Sequence, residues 1–377
     1  MLPDHGRGRS RGEGRFLFPV VGAVTGLLIF LAFYFILPPG NEATGAAVGM
    51  GMARVLGPSL SVVAGEGSAR VSWTALADVR APRYIAVAVP DNTALPQSAC
   101  ATTTLSCTIG GLTDGVTYTV SVGAANAAGS VAPSASAEVT PYPAILKSQA
   151  SALWLNADDI PATTGTAVSF WPDTSGQNDN ATQSQAANQP ALSTLGSHKA
   201  VQFSGDQNLI FDGNRLPSGS QPSVIFAVAE LDDPAAAGHC FEHLLAWGTG
   251  RTGEARMIYK GCYTTLATAE TFNTYPLMHP KDAWPQGHPA LVTAEITGSG
   301  ITVWMDGSLD YSWANPHGVA TDTSSQASAM VGGAPWWSDS DGWVGRIGEI
   351  IVLSGNVSTG EMQTVDAYLL RKWGIPG

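Results

Sequence analysis

The chain has 377 residues, of which 13% are charged, and carries a formal net charge of −12 at pH 7. Apolar residues make up 44% of the sequence, which is enough to build cores and excludes a broadly disordered chain. The acidic balance disfavours binding to a phosphate backbone, so we expect no nucleic-acid partner.

The first element along the chain is an uncharged apolar run of 22 residues, Phe16–Leu37. As a helix it would extend about 33 Å, which matches the hydrocarbon core of a bilayer. The basic tail at 1–15 contains four arginines, whereas no lysine or arginine occurs in 38–53. The positive-inside rule therefore places the N-terminus in the cytoplasm and the remaining domains in the periplasm or outside the cell. We predict a single-pass transmembrane signal anchor at 16–37.

Two alternatives to an uncleaved anchor follow from the same region. A cleaved signal peptide would be cut near Ala47 or Ala53. A pilin-like leader, suggested by Gly14, is disfavoured because the acidic residue expected five positions into the mature helix is missing. Residues 38–56 are rich in Gly, Ala and Met, and we interpret them as a flexible linker.

Residues 57–142 contain short alternating runs separated by turn residues, which predicts a small β-sandwich of about seven strands. The region resembles a fibronectin type III domain in Trp73, in Gly111–Val120 and in Val139-Thr140-Pro141. The resemblance implies that Trp73 fills the core and that the Tyr118 hydroxyl tethers the turn before its strand. We expect this domain to act as a spacer rather than as a binding module.

Residues 146–377 hold ten of the eleven tryptophans and many further strand-like runs. Only the end looks helical, because Ser358 and Glu361 form a capping box, apolar residues recur at three- and four-residue spacing, and Gly374 follows. We therefore expect an antiparallel two-sheet sandwich with one closing helix.

This second region resembles the concanavalin A-like lectin/glucanase superfamily in its laminin-G-like form. The resemblance rests on Leu153–Asp159, Val168–Asn178, Val344–Leu353 and Tyr368–Gly374. It implies a jelly roll, so the predicted fold class is all-β, with an Ig-like sandwich followed by a concanavalin A-like one. It does not select a ligand, since the superfamily includes lectins, adhesion modules, inert spacers and glycosidases.

The four cysteines fall as two local pairs, Cys100 with Cys107 and Cys240 with Cys262. No Cys/His spacing suggests zinc. In an oxidising compartment we expect two structural disulfides, with free buried thiols as the alternative.

The sequence offers little for catalysis. Retaining glucanases need two carboxylates about 5–5.5 Å apart. Glu230-Leu231-Asp232 begins like such a pair, but the final Glu of the pattern is absent and Pro234 ends the strand. We interpret this stretch as a solvated strand end and Glu349 as an isolated acid on its strand, and we expect no enzyme activity.

Sugar binding is predicted at two aromatic positions, since aromatic faces stack on the C–H faces of sugars. Trp336 and Trp337 precede Asp339 and Asp341 in a polar loop, and Trp284 is the second candidate. The remaining tryptophans of this region that we assign are expected in the core: Trp154, Trp171, Trp304, Trp343 and Trp373.

Calcium is the one cofactor that the sequence raises, at Asp339 and Asp341 or at Asp158 and Asp159. Calcium takes six to eight oxygen ligands, so two carboxylates form at best half a site. Asx turns are the favoured interpretation of both pairs, and no cofactor is predicted.

These observations predict a membrane-anchored, extracytoplasmic adhesion or recognition protein that is not catalytic, with a glycan or a surface protein as its partner. One alternative is a structural envelope or pilus-associated component without a soluble ligand. The other is a glycoside hydrolase with an atypical carboxylate pair.

Overall fold

The structure is a computed structural model that describes residues 59–75, 83–125, 131–133, 136–232, 242–249, 255–260, 267–271, 284–285, 287–314, 328–336 and 342–377. All of them belong to one unit, Val55–Gly377. The predicted segments 1–15, 16–37 and 38–56 lie outside these residues. Within the described ranges, no helix is long and apolar enough to cross a membrane.

The first sandwich consists of two antiparallel sheets, one with strand order β1-β2-β5 and the other with order β4-β3-β6-β7 and β8 paired to β6. Alternating apolar residues face the space between the sheets, where Trp73 and Tyr118 are buried. The strands are β1 (Leu60–Gly65), β2 (Ser68–Trp73), β3 (Arg83–Pro90), β4 (Ser98–Thr102), β5 (Ser106–Gly110), β6 (Tyr118–Ala125), β7 (Val131–Pro133) and β8 (Ala137–Val139).

Two expectations for this sandwich are confirmed. The backbone N–H of Thr113 donates to the Tyr118 hydroxyl at 3.0 Å, which tethers the turn before β6. A disulfide joins Cys100 on β4 to Cys107 on β5 and so links the two sheets. The other predicted disulfide, between Cys240 and Cys262, lies outside the described residues.

The second sandwich has a seven-stranded sheet of order β10-β11-β14-β22-β16-β17-β18. Facing it is a sheet of order β12-β13-β23-β15-β19-β20-β21, with β9 paired to β23. The strands are β9 (Ser151–Asn156), β10 (Phe170–Trp171), β11 (Ala181–Thr182), β12 (Ala191–Leu195), β13 (His198–Ser204), β14 (Leu209–Asp212), β15 (Ser223–Leu231), β16 (Glu242–Gly248), β17 (Ala255–Lys260), β18 (Ala267–Thr271), β19 (Ala290–Thr297), β20 (Gly300–Met305), β21 (Ser308–Ala314), β22 (Ser328–Val331) and β23 (Val344–Ser354).

The single helix of the described residues, α1 (Thr359–Trp373), packs on the outer face of the second sheet. Strand β15 is therefore buried on both faces: Ile225 and Ala227 point into the core between the sheets, whereas Val224 and Phe226 point toward the helix. The predicted capping box of Ser358 and Glu361 is present, and Gly374 ends the helix in a left-handed conformation. The expectation of all-β sandwiches with one closing helix is confirmed.

Short 3-10 turns complete the fold at Ala144–Lys147, Ala157–Asp159, Ala186–Asn188 and Gly213–Arg215. The first of these connects the two sandwiches, and the second follows β9 directly. Both lie beside the helix face of the second sandwich, where the ionisable residues of the candidate site meet.

Candidate functional site

The aromatic residues predicted to bind sugar do not form a site together in the described structure. Trp284 is only 1% exposed and meets Trp343 edge-on with ring centroids 5.0 Å apart, so it is a core residue and its prediction as a sugar platform was wrong. Trp336 is half-buried against a small apolar cluster that includes Met257 and Tyr259. Trp337, Asp339 and Asp341 lie outside the described residues.

The tryptophans expected in the core are largely there. Trp154, Trp171, Trp343 and Trp373 are buried, whereas Trp304 is half-buried against the helix cluster.

Glu349 was interpreted as an isolated acid, and this interpretation was wrong. It is 1% exposed, and its Oε1 accepts from Trp154 Nε1 at 2.7 Å and from the Tyr368 hydroxyl at 3.0 Å. Its Oε2 accepts from Lys372 Nζ at 2.8 Å and from Trp373 Nε1 at 2.9 Å. One carboxylate on β23 thus holds β9 and three residues of α1, which fixes the helix on the sheet.

Glu230 was predicted to lie at a solvated strand end, and this is also wrong. It is 3% exposed and forms an ion pair with Arg346, its cross-strand neighbour on β23. Arg346 also lies 3.7 Å from Asp232, which accepts from Gln202 Nε2 at 2.8 Å, so both acids of this stretch have structural partners.

Ionisable and polar groups converge instead in a cleft of about 770 Å³ between the two sandwiches. The first sandwich contributes residues of β1 and β8 to its wall, together with Asp91 after β3 and Thr117 just before β6. The second contributes the turn after β9, the start of β13 and α1. We call this space the interdomain cleft. Its polar lining includes Asp91, Thr117, Glu138, Asn156, Asp158, Asp159, Ser197, His198 and Lys372.

The two sandwiches touch closely at one end of this cleft. Arg371 Nε on α1 donates to the backbone carbonyl of Asp114 at 2.7 Å. Gly115 beside it has φ +82°, and a Cβ there would lie 2.3 Å from the Tyr368 carbonyl oxygen. Only glycine permits both this backbone conformation and this approach, so the 111–117 turn of the first sandwich seats directly on the helix.

Asp158 is the most constrained acid of the cleft. Its Oδ1 accepts from the Lys199 backbone N–H at 2.9 Å, and its Oδ2 lies 2.8 Å from His198 Nδ1 and 3.3 Å from Lys372 Nζ. Burial raises the pKa of this carboxyl, but the His198 hydrogen bond and the charge of Lys372 lower it more strongly, to about 2. Asp158 therefore stays ionised.

Asp159, its neighbour, shifts in the opposite direction. Partial burial raises its pKa, and the nearby charges of Glu349 and Asp158 add to this effect, although Lys372 opposes it. Its Oδ2 accepts only from Asn156 Nδ2, at 3.2 Å. The local Asx turn is made by Asn156, whose side chain accepts from the Asp158 N–H, rather than by either aspartate as the sequence had suggested.

An aromatic corner forms the other side of the cleft. The Tyr142 and Trp154 rings meet edge-on with centroids 5.0 Å apart. Lys147 Nζ lies 4.9 Å from the Trp154 centroid and also donates to the Thr174 carbonyl oxygen. The cleft thus combines carboxylate acceptors, ammonium and amide donors, and a half-buried aromatic ring.

Metal binding finds no support in this part of the molecule. Across the ranges that the structure describes, no group of three or more His, Cys, Asp and Glu side chains could hold a metal ion. Both oxygens of Asp158 are already engaged by protein donors.

The sequence could not have located this cleft, because its residues come from both sandwiches and are spread from Val62 to Lys372. One signal was available: the pair Asp158-Asp159 comes one residue after the end of a buried strand, at a position where charged side chains need partners.

Comparison with known proteins identifies the first sandwich. Residues 57–140 match the family model of the fibronectin type III domain, so this part of the chain is such a domain. No curated protein matches the chain.

Several solved structures of carbohydrate-active proteins are similar in part. Domain 4 of an extracellular GH43 arabinanase from Geobacillus stearothermophilus, in complex with arabinotriose, is 16% identical with a TM-score of 0.41, over 58% of this chain and 98% of that one. A GH54 arabinofuranosidase soaked with a cyclic sulfate inhibitor is 15% identical with a TM-score of 0.43, over 55% of this chain and 51% of the enzyme. This chain thus spans about half the length of that enzyme.

A third similar structure is the CBM40 of the Ruminococcus gnavus IT-sialidase bound to α2,3 sialyllactose. It is 15% identical with a TM-score of 0.35, over 44% of this chain and 95% of the module.

Proposed function

We propose that this protein is a non-catalytic recognition protein that binds a sugar unit of a glycan in the interdomain cleft. The observation that carries the proposal is the cleft itself, in which the polar lining of two sandwiches meets an aromatic corner. Small-ligand sites combine a concave surface with a few convergent polar groups in this way. Carboxylates and amides can accept from and donate to the hydroxyls of one ring, while Tyr142 offers an apolar surface to its C–H groups.

This proposal changes the expected role of the fibronectin type III domain. The sequence favoured a spacer, but residues of β1 and β8, together with Asp91 and Thr117, form one wall of the cleft. In our proposal the domain is therefore part of the binding site and sets the width of the cleft through its contact with α1.

The proposal retains two predictions from the sequence. The second sandwich is taken to be concanavalin A-like, and the run Phe16–Leu37 is taken to anchor the chain in a membrane with both sandwiches on the far side. Support for the anchor is the length of the apolar run and the arginines before it. Recovery of the full-length chain in the membrane fraction, released by detergent but not by salt, is the expected result.

A glycan array with the full-length protein in detergent tests the binding proposal. We expect binding that is lost in Ser197→Trp, because Ser197 is an exposed turn residue on the cleft wall and an indole there would fill the space. Ser299→Trp is the matched control: Ser299 also follows a glycine in a two-residue hairpin turn but lies outside the cleft. An array without binding, or equal binding by both variants, would remove the proposal.

Glycoside hydrolysis is a second candidate, favoured by one observation. The pKa values of the adjacent acids Asp158 and Asp159 are displaced in opposite directions, as an acid and a base in one site require. The three protein donors on Asp158 argue against it, because they leave little of that carboxylate free to act. Release of reducing ends from a bound glycan, abolished in Asp159→Asn, would establish this alternative.

A further inference from the structure

We infer that the interdomain cleft selects glycans that carry free amino groups over neutral and acidic glycans. The inference rests on the proposed function and adds the chemical class of the ligand. It follows from the balance between the charges on the cleft wall that have partners and those that do not.

Three acids at the cleft have no cationic group of a described residue within ion-pair distance, although the charges of Lys372 and Lys147 act on Asp159 from farther away. Among the described residues, Asp91, Glu138 and Asp159 form no ion pair, and all three are exposed. Asp91 follows β3, Glu138 lies on β8 and Asp159 lies in the turn after β9, so the three come from both sandwiches. They provide three carboxylates that a bound cation can meet without breaking an existing contact.

The two lysines of the cleft differ in their partners. Lys372 is shared between Glu349 at 2.8 Å and Asp158 at 3.3 Å, both of which are carboxylates. Lys147 lies over the Trp154 ring and donates to a backbone carbonyl. Lys372 is therefore unavailable to a carboxylate or sulfate on a ligand unless it leaves these partners. Lys147 forms no ion pair with a described residue and is the one lysine of the cleft whose charge has no carboxylate beside it.

Three carboxylates without an ion pair thus outnumber the one lysine without an ion pair, Lys147, so the unpaired charge of the cleft is negative. A cleft lined by charges of one sign concentrates ligands of the opposite charge and repels ligands of the same charge. A hydrogen bond between an ammonium group and a carboxylate is stronger than one between neutral groups, so each sugar amine that reaches Asp159 or Glu138 gains affinity over an acetamide. Uronic acids and sialic acids would instead place like charges together.

Isothermal titration of the full-length protein with four probes at pH 6 tests the inference. The probes are tetrasaccharides of glucosamine, of N-acetylglucosamine and of galacturonic acid, and spermine as a cation without a sugar. We expect the glucosamine tetramer to bind about tenfold more tightly than the acetylated tetramer, which corresponds to about 1.4 kcal/mol, and the galacturonate tetramer not to bind.

The outcomes separate this inference from the proposed function. Equal binding of the amine and acetylated tetramers would overturn the amine preference while leaving glycan binding intact. Spermine binding as tight as that of the glucosamine tetramer would also overturn it, since the cleft would then be a general cation site. If no glycan binds, the proposed function fails and the inference with it.

Two variants connect the preference to named residues. In Asp159→Asn and Glu138→Gln we expect the ratio of amine to acetylated affinity to fall at least threefold, because each removes one unpaired carboxylate. Asp206→Asn, an exposed acid of the second sandwich away from the cleft, should leave the ratio unchanged. Circular dichroism confirms that each variant is folded; an unchanged ratio in both cleft variants would contradict the inference.

Discussion

The two sandwiches are stabilised in different ways. In the described residues up to Val139, no polar or charged side chain is buried, and the core is a cluster of apolar and aromatic residues around Trp73 and Tyr118. The second sandwich buries ion pairs, among them Lys260 with Glu242 and Lys372 with Glu349. It also buries Arg256, which donates to Ser223 at 2.6 Å and so bridges the two sheets.

The difference shows in which domain a single substitution should lower the free energy of unfolding most. An apolar core loses stability gradually as contacts are removed, whereas a buried ion left without its partner carries the full cost of desolvation. We therefore expect the largest single-residue effects in the second sandwich and smaller, more local effects in the first.

The largest effect is expected for Glu349→Ala. The substitution leaves two indole N–H groups and the Tyr368 hydroxyl without their acceptor beneath α1, and it removes the nearer of the two carboxylates that pair with Lys372. Removing one partner of a buried ion pair costs about 3–5 kcal/mol. Urea denaturation followed by circular dichroism measures the change. Asp206→Asn, which removes an exposed acid of the same domain, is the control and should stay within about 0.5 kcal/mol of wild type.

A loss below about 1 kcal/mol for Glu349→Ala would mean that water or a relaxed Lys372 replaces the carboxylate. The contrast between the two sandwiches would then have no energetic basis.

Sequence reasoning succeeded where the determining contacts are local. The capping box of Ser358 and Glu361 spans three residues, and the tether from Thr113 to Tyr118 spans five. The cysteines of the confirmed disulfide are seven positions apart. Alternation within single strands was likewise enough to predict an all-β fold, because a strand buried on one face shows alternating apolar and polar residues over a few consecutive positions.

It failed where the partners are far apart in the chain. Trp154 and Glu349 are separated by 195 positions, and Glu230 and Arg346 by 116. In a sequence, an acid next to apolar residues looks the same whether it is buried beside a distant cation or exposed to solvent. The prediction of a sugar-binding role for Trp284 failed for the same reason, since the polar residues around it in the sequence gave no sign that its ring lies against Trp343.

The next largest effect is expected in the fibronectin type III domain for the double variant Cys100→Ala/Cys107→Ala. A disulfide that closes so short a loop stabilises by about 2–3 kcal/mol through the unfolded state. Hydrogen exchange followed by mass spectrometry should show faster exchange in peptides from 59–139. Peptides of β15 and β23 serve as the internal control and should be unaffected.

Reducing the wild-type protein should reproduce the exchange pattern of this double variant. If exchange instead increases equally in both sandwiches, the two unfold as one unit and their stabilities cannot be compared separately.

A stabilising substitution is expected at Asp366 on α1. Burial raises the pKa of this carboxyl to about 6, although the hydrogen bond from Thr293 at 2.6 Å lowers it. Because the pKa in the folded state exceeds that of the unfolded chain, the contribution of Asp366 to the free energy of unfolding is fully present below the unfolded pKa of about 4 and is lost as the pH rises through about 6. Asp366→Asn keeps an acceptor for Thr293 without the charge and should add about 1–2 kcal/mol at pH 7.5.

The pH dependence distinguishes this cause from a general effect on the helix. The gain from Asp366→Asn should shrink as the pH falls through 6 to 4 and approach zero near pH ~3, where the wild-type carboxyl is protonated in both states. Asp366→Ala, which also loses the hydrogen bond, is the matched comparison. A gain that is constant from pH 4 to 7.5 would show that the charge of Asp366 is not responsible.

The smallest effect is expected for Tyr118→Phe in the fibronectin type III domain. The substitution keeps the ring in the core but removes the acceptor of the Thr113 N–H, so the loss should be about 1–2 kcal/mol and confined to this domain. Tyr84→Phe is the control, because Tyr84 is equally buried and its hydroxyl makes no hydrogen bond to a described residue.

Since the tethered turn seats Gly115 on α1, Tyr118→Phe should also loosen the cleft and weaken glycan binding in proportion. A stability loss with unchanged binding would show that the turn keeps its position on the helix without the tether.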